Sequence, residues 1–313
     1  MIGYATDFAG ETASVEKLEE CLKTIAEAGF THIHWCHEWD GDYLYSRGEM
    51  EQIRGWMDKY GLKAKGVHAT EGSRRSNKEG KYKYRWTDQN RRDYTSENEY
   101  NRQAGAELIG NRVELANVLG TNEIVLHMQL PYKSFEEDGA FRDRYYAQVF
   151  KSFDGLKDLC ARNNVRICLE NLLGTPNEHQ RYQFDLLFDR YGSDFLGFCF
   201  DSGHANITGK DPLEFIRRYK DRAYSVHLSD NKGIAGESCW DDDTAMTKCD
   251  MHLNPLAGTF DWPGFCGILA DSVYELPLVL EVSARERDRK EFMRESLDAG
   301  RKLTDMVKSR RLS

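Results

Sequence analysis

The sequence predicts an α/β protein built as a single (β/α)8 barrel, the TIM barrel. Eight short apolar runs alternate with longer amphipathic segments, and this alternation continues along residues 1–313 without a change in composition. Strands separated by crossover helices pair in parallel, and eight such units close a barrel. A doubly wound open sheet would need a glycine-rich phosphate loop after the first strand, and TDFAGET is not one. We therefore expect one barrel domain over residues 1–313.

The apolar runs place the strands, and the amphipathic segments between them place the helices. Residues 14–29 have an apolar i, i+3, i+4 stripe and end at Gly29. Residues 95–120 open with a candidate capping box at Thr95/Ser96 and end at Gly120. The predicted strands are residues 2–8, 32–39, 64–70, 123–129, 166–172, 196–203, 223–230 and 276–283.

Two polar, irregular stretches are predicted to be insertions at the mouth of the barrel. Residues 71–94 follow the third strand, and residues 231–258 follow the seventh. Both begin at the C-terminal end of a strand, where barrel loops form the active site. The first stretch mixes basic residues with Tyr82, Tyr84 and Trp86, which suits either a solvated charged loop or a lid over a polar ligand.

Composition indicates a soluble globular protein with a large core, since 40% of residues are hydrophobic and 30% are charged. No apolar stretch approaches ~18 residues, so we expect no membrane helix. The N-terminus MIGYATDFAG lacks the basic and apolar regions of a secretion leader. The eight cysteines include no CxxC pair, which favours reduced thiols and a cytoplasmic location. A net charge of −9 argues against broad contact with nucleic acid.

The alternation of side chains along a strand predicts which polar residues face the barrel interior. Apolar residues such as Phe200, Tyr224 and Val226 are assigned to the helix side. Their neighbours at six strand ends then face inward: His68, His127, Glu170, Asp201, His227 and Glu281. The residues two positions earlier form an inner layer below them: Gly66, Val125, Cys168, Cys199, Ser225 and Val279.

Three carboxylates and three histidines would therefore meet at one mouth. Buried carboxylates repel one another unless they are protonated or bridged by a cation. A lone interior histidine or a lone glutamate at a strand end is more often structural. Six such residues on one predicted face instead indicate a metal site.

Seven segments, taken in this order, resemble the xylose isomerase-like TIM barrel superfamily. That superfamily includes sugar-phosphate isomerases and epimerases, and the endonuclease IV class of DNA repair enzymes. The resemblance spans most of the chain. The segments are GVHA (66–69), ANVLGTNEIVLH (116–127), ICLENL (167–172), FDSGHANI (200–207), HLSDNKG (227–233), DMHLNPLAGTFDW (250–262) and LVLEV (278–282).

The resemblance implies a single divalent metal ion held by Glu170, Asp201, His227 and Glu281. Three oxygen ligands and one nitrogen suit Mn²⁺, Mg²⁺ or Co²⁺, and additional histidines would favour Zn²⁺. In the isomerases and epimerases of this family the two glutamates also act as acid and base. We therefore expect a metal-dependent isomerase or epimerase acting on a ketose, aldose or related polyol. It would transfer a proton next to a carbonyl through an enediolate, without an organic cofactor.

Other residues are candidates for binding substrate or further metal ions. The histidine three residues after Asp201 resembles one that holds substrate oxygens in the family. Lys232 is the only basic residue placed to replace the one that ketose 3-epimerases carry after the seventh strand. At the end of the second strand, Trp35, His37 and Glu38 all remain candidates to fill the mouth. The whole set of additional candidates is His68, His127, His204, Asp250, His252 and Lys232.

The main alternative is an endonuclease IV-like phosphodiesterase that acts on abasic DNA with three zinc ions. The acidic segment WDDDTAMTKCD (240–250) and the net charge would repel duplex DNA but tolerate a neutral sugar or polyol. A silent sugar-binding barrel is disfavoured because both catalytic glutamates are present. The sequence leaves homo-oligomer formation open. The nine residues available as zinc ligands are His68, His127, Glu170, Asp201, His204, His227, Asp250, His252 and Glu281.

Overall fold

The computed structural model describes residues 1–9, 15–39, 41–72, 74–76, 82–84, 92–208, 210–233 and 248–312. Within these ranges eight parallel strands form one sheet that curls into a barrel, which confirms the predicted fold class. The barrel strands are β1 (Ile2–Ala5), β2 (His32–Trp35), β3 (Lys63–His68), β6 (Glu123–Leu126), β7 (Arg166–Glu170), β8 (Leu196–Asp201), β9 (Ala223–His227) and β10 (Leu278–Leu280). A separate antiparallel hairpin joins β4 (Arg74–Ser76) to β5 (Tyr82–Tyr84).

Regular parallel pairing joins seven pairs of neighbouring barrel strands, and an isolated bridge joins the eighth pair. The strands follow the order β10-β1-β2-β3-β6-β7-β8-β9, so the last strand pairs with the first. Between β9 and β10 the contact is a single isolated bridge, which pairs Leu228 with Leu280. There the Leu228 N–H donates to the Val279 carbonyl at 3.0 Å, and the Glu281 N–H donates to the Leu228 carbonyl at 3.1 Å. These two hydrogen bonds form the seam of the barrel.

Ten α-helices lie in the part of the chain that the structure describes. They are α1 (Val15–Glu27), α2 (Arg47–Tyr60), α3 (Glu99–Leu119), α4 (Tyr132–Glu137), α5 (Gly139–Asn163), α6 (Asn177–Arg190), α7 (Ser202–Thr208), α8 (Glu214–Tyr219), α9 (Trp262–Ala270) and α10 (Arg289–Arg311). The expected helix ends near Gly29 and at Gly120 are confirmed, because both glycines have positive φ. The expected start of α3 at Thr95/Ser96 is wrong. The side chain of Asn98 caps that helix instead.

Side chains of the barrel strands separate into an outer and an inner layer, as the alternation predicted. Outward residues such as Leu169 and Phe200 belong to the main hydrophobic core. Val125, Cys168 and Cys199, three of the six residues of the expected inner layer, form a second, smaller cluster.

Tyr224 is a correction to the expected alternation. Its ring packs against the inner cluster rather than facing the helices. The pairing of β8 with β9 passes from Phe198–Ala223 to Cys199–Ser225, so Tyr224 is an extra residue at a bulge. A similar register shift between β2 and β3 skips Lys65.

Residues at the base of the barrel form a buried ion pair. The ammonium group of Lys65 lies 3.2 Å from a carboxylate oxygen of Glu123, and both side chains are largely buried. The guanidinium of Arg166 stacks over the Tyr224 ring at 3.6 Å from its centroid. These contacts fill the end of the barrel opposite the predicted mouth.

The predicted mouth insertions are described only in part. The proposed lid residue Trp86 lies outside the described residues, and so does the range 234–247 of the second insertion. The seven cysteines within the described ranges are free, and six of them are buried. Among the described helices, none has both the length and the hydropathy required to cross a membrane.

A buried aspartate fixes the segment that follows the second insertion. Asp230 is fully buried and forms an isolated antiparallel bridge with Leu253. One carboxylate oxygen of Asp230 accepts from the Gly258 N–H at 2.9 Å and from the Trp262 indole at 2.8 Å. The other accepts from the backbone of Asn231 at 2.9 Å and of Phe260 at 3.3 Å. Residues 250–262 are thereby held against the end of β9.

We predict that Asp230→Ala lowers the free energy of unfolding by about 3 kcal/mol or more, because it leaves several buried donors without an acceptor. Asp230→Asn keeps one acceptor oxygen and is expected to lose less. Urea unfolding followed by circular dichroism measures both variants against the wild-type protein. A loss within ~0.5 kcal/mol for Asp230→Ala, the usual range for surface substitutions, would contradict this role.

Candidate metal centre

Glu170 lies at the centre of the cluster that forms at the C-terminal ends of the strands. It is the last residue of β7, and its carboxylate is buried. One oxygen, Oε2, lies 3.1 Å from Nδ1 of His227 and 3.2 Å from Nε2 of His127. The same oxygen lies 3.9 Å from Nε2 of His68. Glu170 thus joins two groups of histidines.

The four residues predicted as ligands of one metal ion lie together. His227 Nδ1 is 3.0 Å from Oε2 of Glu281 as well as close to Glu170. Glu170, Asp201, His227 and Glu281 each offer one ligand atom, and these atoms lie within 4.8 Å of one another. The side chains come from β7, β8, β9 and the residue after β10. The closed barrel therefore brings together residues separated by more than a hundred positions in sequence.

Asp201 is held in place by the start of α7 and by a side chain from the neighbouring strand. Its Oδ1 accepts the backbone N–H of His204 at 2.6 Å. The side-chain amide of Asn171 bridges the backbone of Asp201, with both hydrogen bonds at 2.9 Å. The second oxygen of Asp201, Oδ2, is buried without a hydrogen-bond partner. Sequence reasoning did not single out Asn171, although it directly follows Glu170.

His68, His127 and Glu170 form a second group whose ligand atoms also lie within 4.8 Å of one another. The two imidazoles contact each other through Nε2 atoms 3.2 Å apart. The Trp39 ring lies 5.3 Å from each of these imidazole rings, measured between centroids. Trp39, which was not among the candidates for the second strand, therefore forms one wall of the centre.

His204, Asp250 and His252 line another side of the mouth. Oδ2 of Asp250 lies 3.0 Å from Nε2 of His252 and 3.9 Å from Nε2 of His204. Nδ1 of His204 lies 3.4 Å from Oε1 of Glu170, which connects this group to the four-ligand cluster. Nδ1 of His252 lies 3.0 Å from the Glu281 carbonyl.

The remaining predicted residues lie elsewhere. The Lys232 side chain is exposed, and its ammonium group donates to the Ala257 carbonyl at 2.7 Å. Trp35 is fully buried and donates its indole N–H to the Tyr45 hydroxyl at 3.0 Å. Glu38 has a positive φ of 54°, and the guanidinium of Arg112 donates to its carbonyl oxygen at 3.0 Å.

The residue of β2 that contacts the cluster is His34. It is fully buried, and its Nε2 lies 3.2 Å from Nε2 of His227. Asp7, just beyond β1, has a buried Oδ1 without a hydrogen-bond partner. Burial and the negative charge of Glu281 raise the pKa of Asp7 to about 6. The sequence offered no signal for Asp7 beyond its position after an apolar run.

Mutual repulsion and burial dominate the electrostatics of the centre. Burial raises the pKa of Asp201 to about 7, and the charges of Glu170, Glu281 and Asp250 add to this shift. Burial alone would lower the pKa of His204, but Asp201, Glu170 and Asp250 outweigh it and raise the value to about 10. The pKa of His227 is also raised, because Cys199, Glu170 and Glu281 outweigh its burial. Without a metal ion, protons on the imidazoles supply the positive charge that the carboxylates require.

The four-residue group fits a divalent cation. Oδ2 of Asp201 is buried without a hydrogen-bond partner among the described residues. Both oxygens of Glu170 and Nδ1 of His227 are also buried, and their ion-pair contacts at 3.0–3.4 Å lack hydrogen-bond geometry. Burying such atoms unpaired costs free energy, and a cation would satisfy all of them at once. Three carboxylates with one imidazole form a mainly oxygen donor set, which suits Mn²⁺, Mg²⁺ or Co²⁺.

Comparison with known proteins assigns the chain to a family. The family described as "xylose isomerase-like TIM barrel" matches residues 22–303. An uncharacterized protein of Sinorhizobium fredii, y4fM, is 31% identical over 270 residues, covering 85% of this chain and 81% of that protein. The chain therefore belongs to the xylose isomerase-like TIM barrel family, as the sequence motifs indicated.

Two relatives with named activities are more distant. An inosose dehydratase of Glaesserella parasuis is 21% identical over 242 residues, covering 73% of this chain and 69% of that protein. A probable endonuclease 4 of Bacillus licheniformis is 25% identical over 200 residues, covering 59% of this chain and 61% of that protein.

Solved structures share the fold over nearly the whole chain. A D-tagatose 3-epimerase-like protein superposes with a TM-score of 0.64 at 20% identity, covering 98% of both chains. The 3-keto-D-glucoside 4-epimerase YcjR from E. coli superposes with a TM-score of 0.63 at 19% identity, covering 96% of this chain and 98% of that one. At these identities the similarity establishes the fold.

We predict that a divalent cation raises the melting temperature, and that the rise is larger at pH 8 than at pH 6. In the metal-free protein the raised pKa of Asp201 means that its ionisation costs stability as pH rises from about 4 to about 7. Metal binding requires the ionised form, so the affinity falls at least about tenfold per pH unit below 7. Differential scanning fluorimetry with Mn²⁺ measures this shift.

Two aspartate variants test the assignment of that pH dependence. Asp201→Asn is expected to remove most of the metal-induced rise, because the amide is a weaker ligand that cannot ionise. Asp211→Asn, at an exposed aspartate paired with Arg217, is the matched control and is expected to behave like wild type. An equal rise at both pH values in the wild-type protein would contradict a role for Asp201 as a ligand.

Proposed function

We propose that this protein is a divalent-metal-dependent isomerase or epimerase acting on a ketose, aldose or related polyol. The observation that supports this most is the convergence of Glu170, Asp201, His227 and Glu281, whose ligand atoms lie within 4.8 Å of one another. Family membership and the sugar epimerases among proteins of the same fold agree with a small-molecule sugar as substrate.

The proposed reaction moves a proton at the carbon next to a carbonyl. Glu170 and Glu281 are both ionised at neutral pH, because the imidazole of His227 holds their pKa values below the usual range despite their burial. One carboxylate removes the proton, and the developing enediolate requires positive charge at its oxygens. A divalent ion in this site would supply that charge as a Lewis acid. The other glutamate can return a proton to the opposite face only after it has taken one up from solvent, and the first glutamate releases the proton it removed to solvent to complete the cycle.

Neighbouring side chains can orient the substrate over this pair. His204 lies 3.4 Å from Glu170 and, with its raised pKa, can donate to a substrate hydroxyl or carbonyl oxygen. Trp39 offers an apolar face beside His68 and His127, where the C–H face of a sugar ring or chain can pack. Asp250 and His252 add polar groups beside His204.

The fate of the intermediate decides the reaction class. Return of the proton to the opposite face of the same carbon is epimerisation, and delivery to the neighbouring carbon is isomerisation. Loss of a hydroxyl from the carbon beyond is dehydration, the outcome that the name of the inosose dehydratase relative implies for that protein. All three begin with the same proton removal, so they share the requirement for a base.

We predict that Glu170→Gln and Glu281→Gln each lower kcat by about 10²-fold or more, because each removes a proton-transfer group and weakens a metal ligand. Incubation of a ketose panel with Mn²⁺ in deuterated water, followed by NMR, measures exchange next to the carbonyl and identifies the product. Glu51→Gln changes an exposed glutamate that pairs with Arg47, and it serves as the matched control. Wild-type exchange rates in either catalytic variant would disprove the mechanism.

A phosphodiesterase with several zinc ions is the second candidate. The observation that favours it is the additional group of His68, His127 and Glu170, together with the contacts of His204 and His252 to Asp250. The relative named probable endonuclease 4 agrees with this candidate. The net charge of −9 opposes it, since binding to a DNA backbone relies on cationic side chains.

Metal stoichiometry separates the two candidates. We expect about one equivalent of Mn, Mg or Co per chain by elemental analysis, and no cleavage of duplex DNA that contains an abasic site. His127→Asn is expected to leave that stoichiometry unchanged, because His127 is outside the four-ligand group. Close to three zinc ions per chain, reduced by His127→Asn and accompanied by cleavage, would instead establish the phosphodiesterase.

A further inference from the structure

His34 is a buried imidazole directly beneath the metal centre, on a strand that supplies none of the four proposed ligands. Its relative exposure is 0%, and its Nε2 lies 3.2 Å from Nε2 of His227. The two rings meet edge to face, with centroids 4.6 Å apart and an interplanar angle of 74°. The contact joins β2 to β9 across the barrel interior.

Space for His34 depends on the glycine at position 66. A Cβ atom built on Gly66 would lie 2.6 Å from Nδ1 and 2.8 Å from Cε1 of His34. Any other residue at that position would therefore push the imidazole out of its place. Gly66 has no positive φ, so the glycine is required by the neighbouring ring rather than by its own backbone conformation. The pair of Gly66 and His34 is one structural unit.

The two nitrogens of His227 face different surroundings. Nδ1 is 3.1 Å from Glu170 and 3.0 Å from Glu281, on the side of the proposed metal ion. Nε2 faces His34. An imidazole that binds a metal ion through Nδ1 keeps its single proton on Nε2. That N–H needs an acceptor, because it is buried.

We propose that His34 is a positioning residue that accepts the Nε2 proton of His227 and so fixes the tautomer and orientation of this metal ligand. The inference rests on the proposed metal-dependent function and extends it to a residue outside the ligand set. Metal-bound histidines generally donate their second ring N–H to a fixed acceptor, and losing that acceptor costs roughly 10- to 100-fold in metal affinity. His34 then carries its own proton on Nδ1, which is buried beside Gly66 without a hydrogen-bond partner in the part of the chain that the structure describes.

A neighbouring thiol is the alternative partner. Cys199 belongs to a group in which one atom each of Glu170, Cys199 and His227 lies within 4.8 Å of the others. If the thiol rather than His34 oriented His227, Cys199→Ser would weaken metal binding and substitution of His34 would not. The two assignments therefore give opposite results in one pair of variants.

The test measures Mn²⁺ affinity by calorimetric titration of the full-length, chelator-treated protein. His34→Leu removes the acceptor and is expected to weaken binding roughly 10- to 100-fold. His34→Gln places an amide oxygen near the position of Nε2 and is expected to restore most of the affinity. Gly66→Ala is expected to weaken binding like His34→Leu, because the new methyl group displaces the ring. His32→Gln, at another buried histidine of β2, is the control.

Three readouts distinguish positioning from a general loss of structure. Melting in the absence of metal shows whether each variant folds, and the visible spectrum of the Co²⁺-loaded protein reports the geometry of the ligands. If the wild-type protein binds no divalent ion, the proposed function and this inference both fail. If the wild type binds Mn²⁺ and a folded His34→Leu binds it equally well, the inference is overturned and the proposed function stands. Equal loss in His34→Leu and His34→Gln would likewise overturn it.

Discussion

Carboxylate repulsion in a water-poor space is the constraint on which this structure depends. Glu170, Asp201 and Glu281 converge at the end of the barrel, where the first two are buried and the third is largely buried, so water screens their charges poorly. Positive charge must therefore be present in every stable form of the site. The imidazoles of His227 and His204 can provide it as protons, and a divalent ion can provide it more effectively. Binding of a metal ion and retention of protons on the imidazoles are thus alternative ways of compensating the same negative charge.

Contacts outside the cluster hold these carboxylates and imidazoles close together. Asn171 and the first turn of α7 fix Asp201, while the buried carboxylate of Asp230 anchors the segment that contains Asp250 and His252. None of these contacts involves the reacting atoms. They resist the separation of like charges that would otherwise relax the site, so a stable scaffold is a precondition for the proposed chemistry.

The alternation of inward and outward side chains predicted that six residues converge, because it was applied to residues near the C-terminal ends of the strands. Bulges at Lys65 and Tyr224 interrupt the alternation closer to the base of the barrel, and there the prediction for Tyr224 was wrong. A bulge reverses which residues face the barrel interior, but only on one side of the bulge. Glu170 and Asp201 lie on strand segments whose phase reaches the mouth unbroken, so their orientation could be predicted from sequence.

The second strand shows what sequence could not provide. Observed β2 ends at Trp35, and Glu38 adopts a positive φ, so the side chains beyond that point no longer follow the alternation. The candidates at the expected strand end were Trp35, His37 and Glu38, whereas His34 and Trp39 contact the cluster. Similarly, three cap-forming residues lie within the four positions before α3, and only the geometry distinguishes Asn98 from Thr95 and Ser96. Such choices depend on tertiary contacts that a single sequence does not encode locally.

Because a single bridge closes the barrel, the proposed cation would also affect the stability of this junction. His227 ends β9 and Glu281 follows β10, so these two ligands lie on opposite sides of the seam formed by Leu228 and Leu280. An ion bound to both would cross-link the least extensively hydrogen-bonded junction of the sheet. Local opening of the barrel, and with it amide hydrogen exchange at Leu228 and Glu281, would then be governed by metal occupancy rather than by backbone pairing alone.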